Sequence, residues 1–210
     1  MVFISQGLFL FKDKEYQTNS YLLTDNLGNL VVIDPTINNV DSILEPIGEE
    51  ENIKAVVLTD EYLPEYSGIL KIYKTYKNIK IYINAKARDN LIGFLTELDS
   101  SINWNEIVLD LDKRVEIDEI TLNVINTPGV SNGAVCLRYK TFYLTGMTLL
   151  SNKMPDLTMS GVDKEELKQT LLNLENLLQP TYFICPREGN VERYKQVQKI
   201  NLELNNFLRG

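Results

Sequence analysis

A chain of 210 residues with 29 acidic and 21 basic side chains, a formal net charge of −8, has the size of one ordinary domain, taken as 1–210. Its acidity, unrelieved by any basic stripe, argues against a nucleic-acid partner. Hydrophobic content of 44% suits a soluble globular chain, and the apolar runs are too short to span a bilayer.

Taken in chain order, the hydrophobic period alternates between two and about three and a half. Ile4 to Lys12, Ser20 to Thr24 and Leu30 to Ile33 read as strands, with Asp25 to Asn29 as a hairpin turn. The opening MVFISQGLFLF lacks the basic start and small-residue cleavage site of a signal peptide, so it reads as the first strand and the cytoplasm is the default location. A short helix places Val40, Ile43, Leu44 and Ile47 on one face. Ala55 to Leu58 is a continuous apolar strand of the fully buried kind. Residues 64–76 read as a helix, Ile79 to Ile83 as a strand, and Ala85 to Leu98 as a helix with Leu91, Ile92, Leu95 and Leu98 on its apolar face. The second half reads as strands over Glu106 to Leu111, Val115 to Asn126, Ala134 to Tyr139 and Thr141 to Leu144. Asp163 and Glu166 form a capping box before Leu167, Leu171, Leu174 and Leu178. A strand from Tyr182 to Cys185 precedes one final helix from about Val191 to Leu208. The expected class is α/β (α+β), with each β-rich half carrying helices.

The chemistry-bearing residues are sparse. There is no histidine at all, which removes the commonest zinc and iron ligand and the commonest general base. Serine and cysteine nucleophiles need such a base. Cys136 and Cys185 sit in apolar settings and read as small core residues, with no disulfide framework. Tyr139, Phe142 and Tyr143 read as core. Gly129 and Gly133 flank a turn between strands, so they do not make a phosphate loop.

The motif order is NSYLLTD, VVIDPT, VVLTDEYLPEYSGIL, NTPGVSNGAVCLRY, FYLTGMTLL and FICPREGNV. From about residue 19 to 190 this resembles the metallo-β-lactamase superfamily, most of all its glyoxalase II-type hydrolases. The resemblance implies an αββα four-layer sandwich of two mixed β-sheets with helices on both outer faces. Against the family's Thr-His-x-His-x-Asp-His cluster, anchoring Leu58-Thr59 and Gly68 puts Asp60, Tyr62, Pro64 and Glu65 at the four ligand positions. A second register, resembling the EPDHSG-type stretch of flavodiiron proteins, moves these to Glu61, Leu63, Glu65 and Tyr66. Val130 stands where the family has the histidine of Thr-Pro-Gly-His, Met147 where it has a metal-bridging aspartate, and Glu188 where it has the last histidine. Asp34 matches a position that steadies the site loops, or else caps its strand end.

The resemblance therefore implies a degenerate member without the metal-ligand histidines. No cofactor is expected, and neither zinc nor iron, although Asp60, Glu65, Glu188 and a tyrosine are donors that hard ions accept. Clustered carboxylates without a metal repel, so one is expected to be protonated or paired with a neighbour such as Arg187. Three readings stay open: an inactive protein serving as a binding or regulatory partner, a small-molecule binder using the old substrate groove, and a hydrolase with an unorthodox site. In the second, Tyr62, Tyr66 and Met147 are expected to form an apolar floor, and Glu188 with Arg187 a polar rim. The retained Thr127, Pro128, Gly129, Gly146, Pro186 and Gly189 motivate it. The partner is a protein or a small molecule, with no membrane, and a homo-oligomer is compatible with the sequence.

Overall fold

The structure, a computed structural model, describes residues 1–5, 7–48, 52–61, 68–76 and 78–209. Seven strands form the first sheet in chain order: β1 (Val2–Ser5), β2 (Leu8–Lys12), β3 (Asn19–Thr24), β4 (Asn29–Ile33), β5 (Asn52–Val57), β6 (Lys80–Ile83) and β7 (Val108–Asp110). Pairing is antiparallel as far as β4 and parallel from β4 to β7. Parallel neighbours need crossovers, and these are α1 (Val40–Leu44), α2 (Gly68–Thr75) and α3 (Ala85–Leu98). The second sheet runs in order through β8 (Arg114–Ile117), β9 (Ile120–Asn126), β10 (Val135–Tyr139), β11 (Phe142–Gly146), β12 (Phe183–Pro186) and β13 (Glu192–Arg193). There β11 and β12 pair in parallel across α4 (Lys164–Glu175). Helices α5 (Tyr194–Ile200) and α6 (Leu202–Arg209) follow.

Three apolar layers result from the period-two alternation. Along β4 and β5, Val32 and Val56 join Ile43, Ile72, Leu91 and Trp104 beneath α1–α3. Their neighbours Val31 and Val57 instead meet Leu122, Leu137 and Leu144 of the second sheet. On that sheet's far face, Cys136, Tyr143 and Ile184 pack under Leu167, Leu171 and Leu174 of α4 and Val197 of α5. Each such side chain contributes roughly 1.5–3 kcal/mol by leaving water. The architecture is two mixed sheets packed face to face with helices outside both, as expected. Tyr139, Phe142, Tyr143 and both cysteines are core, as expected.

Several boundaries differ from the sequence reading. The run 4–12 is two strands, because Gly7 turns at φ +81° and its missing Cβ leaves room for the Thr24 carbonyl oxygen, 2.5 Å from where that atom would lie. The run 115–126 is likewise a hairpin, turning where Asp118 takes φ +51°. Leu98 is 40% exposed, and the buried stripe of α3 is Ala87, Leu91 and Leu95. Asp163 does cap α4, its carboxylate accepting the Glu166 N–H at 2.9 Å.

The single C-terminal helix expected from 191 is a short strand and two helices broken at Asn201. That buried side chain donates to the carbonyls of Leu150 and Lys153 (3.0 and 2.9 Å), and its oxygen caps α6 by accepting the Leu204 N–H at 2.9 Å. Asn201→Ala removes three hydrogen bonds, one of them the buried bond to the Leu150 carbonyl. A loss of about 2–4 kcal/mol in urea unfolding is expected, and a loss below about 0.5 kcal/mol would contradict this account.

Candidate functional site

The C-terminal ends of β4, β5, β11 and β12 meet at one edge of the sandwich, where ligands of open α/β sheets generally bind. Three residues just beyond these ends build the site, Asp34, Asp60 and Arg187. Thr59 ties the two sheets together, its carbonyl accepting the Val135 N–H at 2.8 Å. Gly146, at φ +52°, lies against it, and a Cβ there would come within 2.6 Å of the Thr59 hydroxyl.

Asp34 follows β4 with φ +50°, a left-handed conformation that aspartate tolerates better than most residues. Local bonds hold it there. Its N–H donates to Val57 O (3.1 Å), and its carbonyl accepts from the Ser20 hydroxyl (2.5 Å). Its two carboxylate oxygens accept from the Thr59 N–H (2.8 Å) and the Thr59 hydroxyl (2.7 Å). The strand-end cap and the loop-steadying role thus meet in one geometry. Behind it a buried polar chain continues from Ser20 to Asn39 (2.7 Å), from Asn39 to Thr36, and from Thr36 to Asp13 (2.5 Å). Asp13, within KDKE, carries no sequence signal of this role.

Asp60 pairs with Arg187, Nη1 to Oδ1 at 3.2 Å, and both side chains are 1% exposed. The arginine placed at the rim of a groove by the sequence reading is therefore buried, because its guanidinium reaches inward to a carboxylate. Its backbone is fixed from both sheets: Arg187 N–H donates to Gly146 O (2.9 Å), and Asn19 N–H donates to Arg187 O (2.6 Å). The Asn19 amide also donates to Pro186 O and Gly189 O, and the buried Tyr21 hydroxyl donates to Pro186 O at 2.7 Å.

The other anticipated positions are dispersed. Val130 and Met147 are buried in the apolar cluster under α4. Glu188 is partly exposed and pairs with Lys153. Tyr62, Leu63, Pro64, Glu65 and Tyr66 lie outside the described residues, so both registers of the ligand cluster rest on positions not described. Among the described residues no three His, Cys, Asp or Glu side chains come together as metal donors, and a guanidinium already pairs with Asp60. These residues do not fit a zinc or iron centre. Beside them, Glu61, Val130, Ser131 and Met159 line part of a groove of about 310 Å³.

Burial raises the Asp34 pKa to about 6; Arg187 opposes the rise, Asp60 adds to it, and the Thr59 hydrogen bonds lower it again. Between its unfolded value near 3.9 and about 6, native Asp34 holds a proton that the unfolded chain has released. Stability attributable to this group therefore rises as pH falls from about 7 to 5. A melting temperature higher by a few degrees at pH 5.5 than at pH 7.5 is expected, and Asp34→Asn should flatten that difference. A wild-type midpoint that falls over this interval, or a slope unchanged in the variant, would contradict it.

No protein-family model matches the chain. It is 25% identical over 191 residues to an uncharacterized protein of Mycobacterium leprae, covering 83% of this chain and 87% of that one. Among solved structures it is similar to the BLEG-1 B3 metallo-β-lactamase, with TM-score 0.79 and 21% identity over 94% of this chain and 99% of that one. It is also similar to ETHE1 from Myxococcus xanthus, with TM-score 0.77 and 16% identity over 97% and 90% of the two chains. A third similar structure is TTHA1623 in a di-iron-bound form, with TM-score 0.74 and 18% identity over 92% and 98%. With these neighbours and two mixed sheets flanked by helices, the chain has the metallo-β-lactamase fold.

Proposed function

We propose that this protein is a catalytically inactive, metal-free pseudoenzyme of the metallo-β-lactamase fold, acting as a binding or regulatory partner. The observation that carries the reading is the fate of four of the described ligand-equivalent positions. Asp60 is neutralised by Arg187, Val130 and Met147 belong to an apolar layer, and Glu188 pairs with Lys153. Hydrolysis in such a fold relies on a metal that activates water and polarises the scissile bond. Valine and methionine supply neither function, and a divalent ion beside Asp60 would face a buried guanidinium.

The groove beside Val130 supports a second reading, a small-molecule binder. The Ser131 hydroxyl is buried there with no hydrogen-bond partner among the described residues, the kind of group a ligand or an ordered water satisfies. A third reading, a hydrolase with a carboxylate and tyrosine site, would draw on Tyr62, Glu65 and Tyr66.

Elemental analysis of protein purified without a polyhistidine tag distinguishes the readings, combined with assays on thioester, β-lactam and phosphodiester substrates. Less than about 0.1 equivalent of zinc, iron or manganese after dialysis is expected. Turnover at background and a melting temperature indifferent to chelator are expected with it. Near-stoichiometric metal with metal-dependent turnover would overturn the proposal in favour of the third reading.

A further inference from the structure

The feature that goes furthest is the guanidinium itself. A buried arginine is rare and costly to desolvate, yet Arg187 is among the largest fully buried side chains of this protein. It stands at the meeting point of strand ends from both sheets, and its carboxylate partner Asp60 is 127 positions away in sequence. Asp34 lies within electrostatic reach of both. The turn carrying Arg187 is gripped by Asn19 and Tyr21 of the first sheet and by Gly146 of the second. One fixed cation is therefore paired with the buried carboxylate after β5 and within electrostatic reach of the one after β4, on a turn that neither sheet lets go.

We propose that the Arg187 guanidinium is the resident cation of this site, neutralising Asp60 and Asp34 and clasping the end of β5 to the turn after β12, the structural work a bound metal ion would otherwise do. This rests on the metal-free reading above, but it makes a separate claim about coupling. Removing the guanidinium takes from two buried carboxylates the cation that offsets their charge, whereas removing the charge on both sides does not. Losses from the two sides must therefore fail to add. A buried carboxylate pair deprived of that cation should also respond to other cations and to acid.

The test is a four-protein cycle of wild type, Asp60→Asn, Arg187→Met and the double variant, with melting temperatures measured at pH 7.5 in EDTA. Arg187→Met is expected to lose roughly 6–20 °C, and the double variant to recover at least half of that loss. Added millimolar Mn²⁺, or a shift to pH 5.5, should raise the midpoint of Arg187→Met by more than that of wild type. Losses that simply add, with no differential response to Mn²⁺ or acid, would overturn the clasp while leaving the metal-free reading intact. A coupled pair in a wild-type protein that also holds stoichiometric metal would show that the arginine is not the site's cation, and would overturn both. Where Arg187→Met does not fold, Arg187→Lys decides: it keeps a cation and should fold with a smaller loss. An unfolded lysine variant beside a wild-type-like Asp60→Asn would refute the proposal.

Discussion

A guanidinium and a carboxylate that are each 1% exposed constrain everything around them. Each ion forfeits several kcal/mol of hydration on burial, and only close pairing with further hydrogen bonds offsets that. The surroundings supply those conditions. Thr59 holds Asp34 with two donors, Asp34 accepts a left-handed backbone to reach them, and Asn19 and Tyr21 fix the turn that aims Arg187. The pair also fixes how the sheets meet, since its members come from different sheets and the Thr59–Val135 hydrogen bond runs beside it. In one direction the arrangement is fragile: losing one partner leaves a charge with no water to return to.

The same edge explains why the turns of the resembled motifs persist. A Cβ on Gly129 would lie 2.4 Å from the backbone of Leu167, the residue that seats α4 on the second sheet. At Gly146 it would strike the Thr59 hydroxyl. Both glycines have positive φ and close neighbours, so packing alone retains them. By contrast a Cβ on Gly189 would meet only the Asn152 side chain, at 3.4 Å, and its constraint is its φ of +93°. Retained turns are thus weak support for a retained groove. The stronger support is local, in the buried Ser131 hydroxyl without a partner among the described residues.

Much of the fold was legible because alternation is a local signal: Val31 and Val32, or Cys136 and Leu137, point to different layers by simple period two. The bounds of Ala85–Leu98 were legible from its spaced leucines, and Asn84 caps that helix by accepting the Lys86 N–H. The misses have a common cause. Asp118 turns a hairpin at positive φ without the usual glycine, and Asn201 breaks a helix for the sake of carbonyls about fifty residues earlier. The site suffers most from this. The resemblance marked Asp60 as a ligand-equivalent position and Arg187 as a neighbour able to pair with a carboxylate, but that these two meet in a dry interior is decided only when the chain between them is folded. Asp13 is buried where Thr36 and local N–H groups receive it.

The distribution of stabilising interactions also accounts for how the donor positions differ so much from the resembled pattern while the architecture stays the same. The bulk of apolar burial lies in three layers reaching well away from the strand ends, and none of it depends on a ligand side chain. Val130 and Met147 have joined the layer under α4, where an apolar side chain gains by leaving water and a polar one needs a partner. Asp60 cannot make that move, because its backbone follows Thr59 into the junction of the sheets. A carboxylate held in so dry a place requires a cation. With Arg187 on a turn clamped by Asn19 and Tyr21, that requirement is met from within the chain.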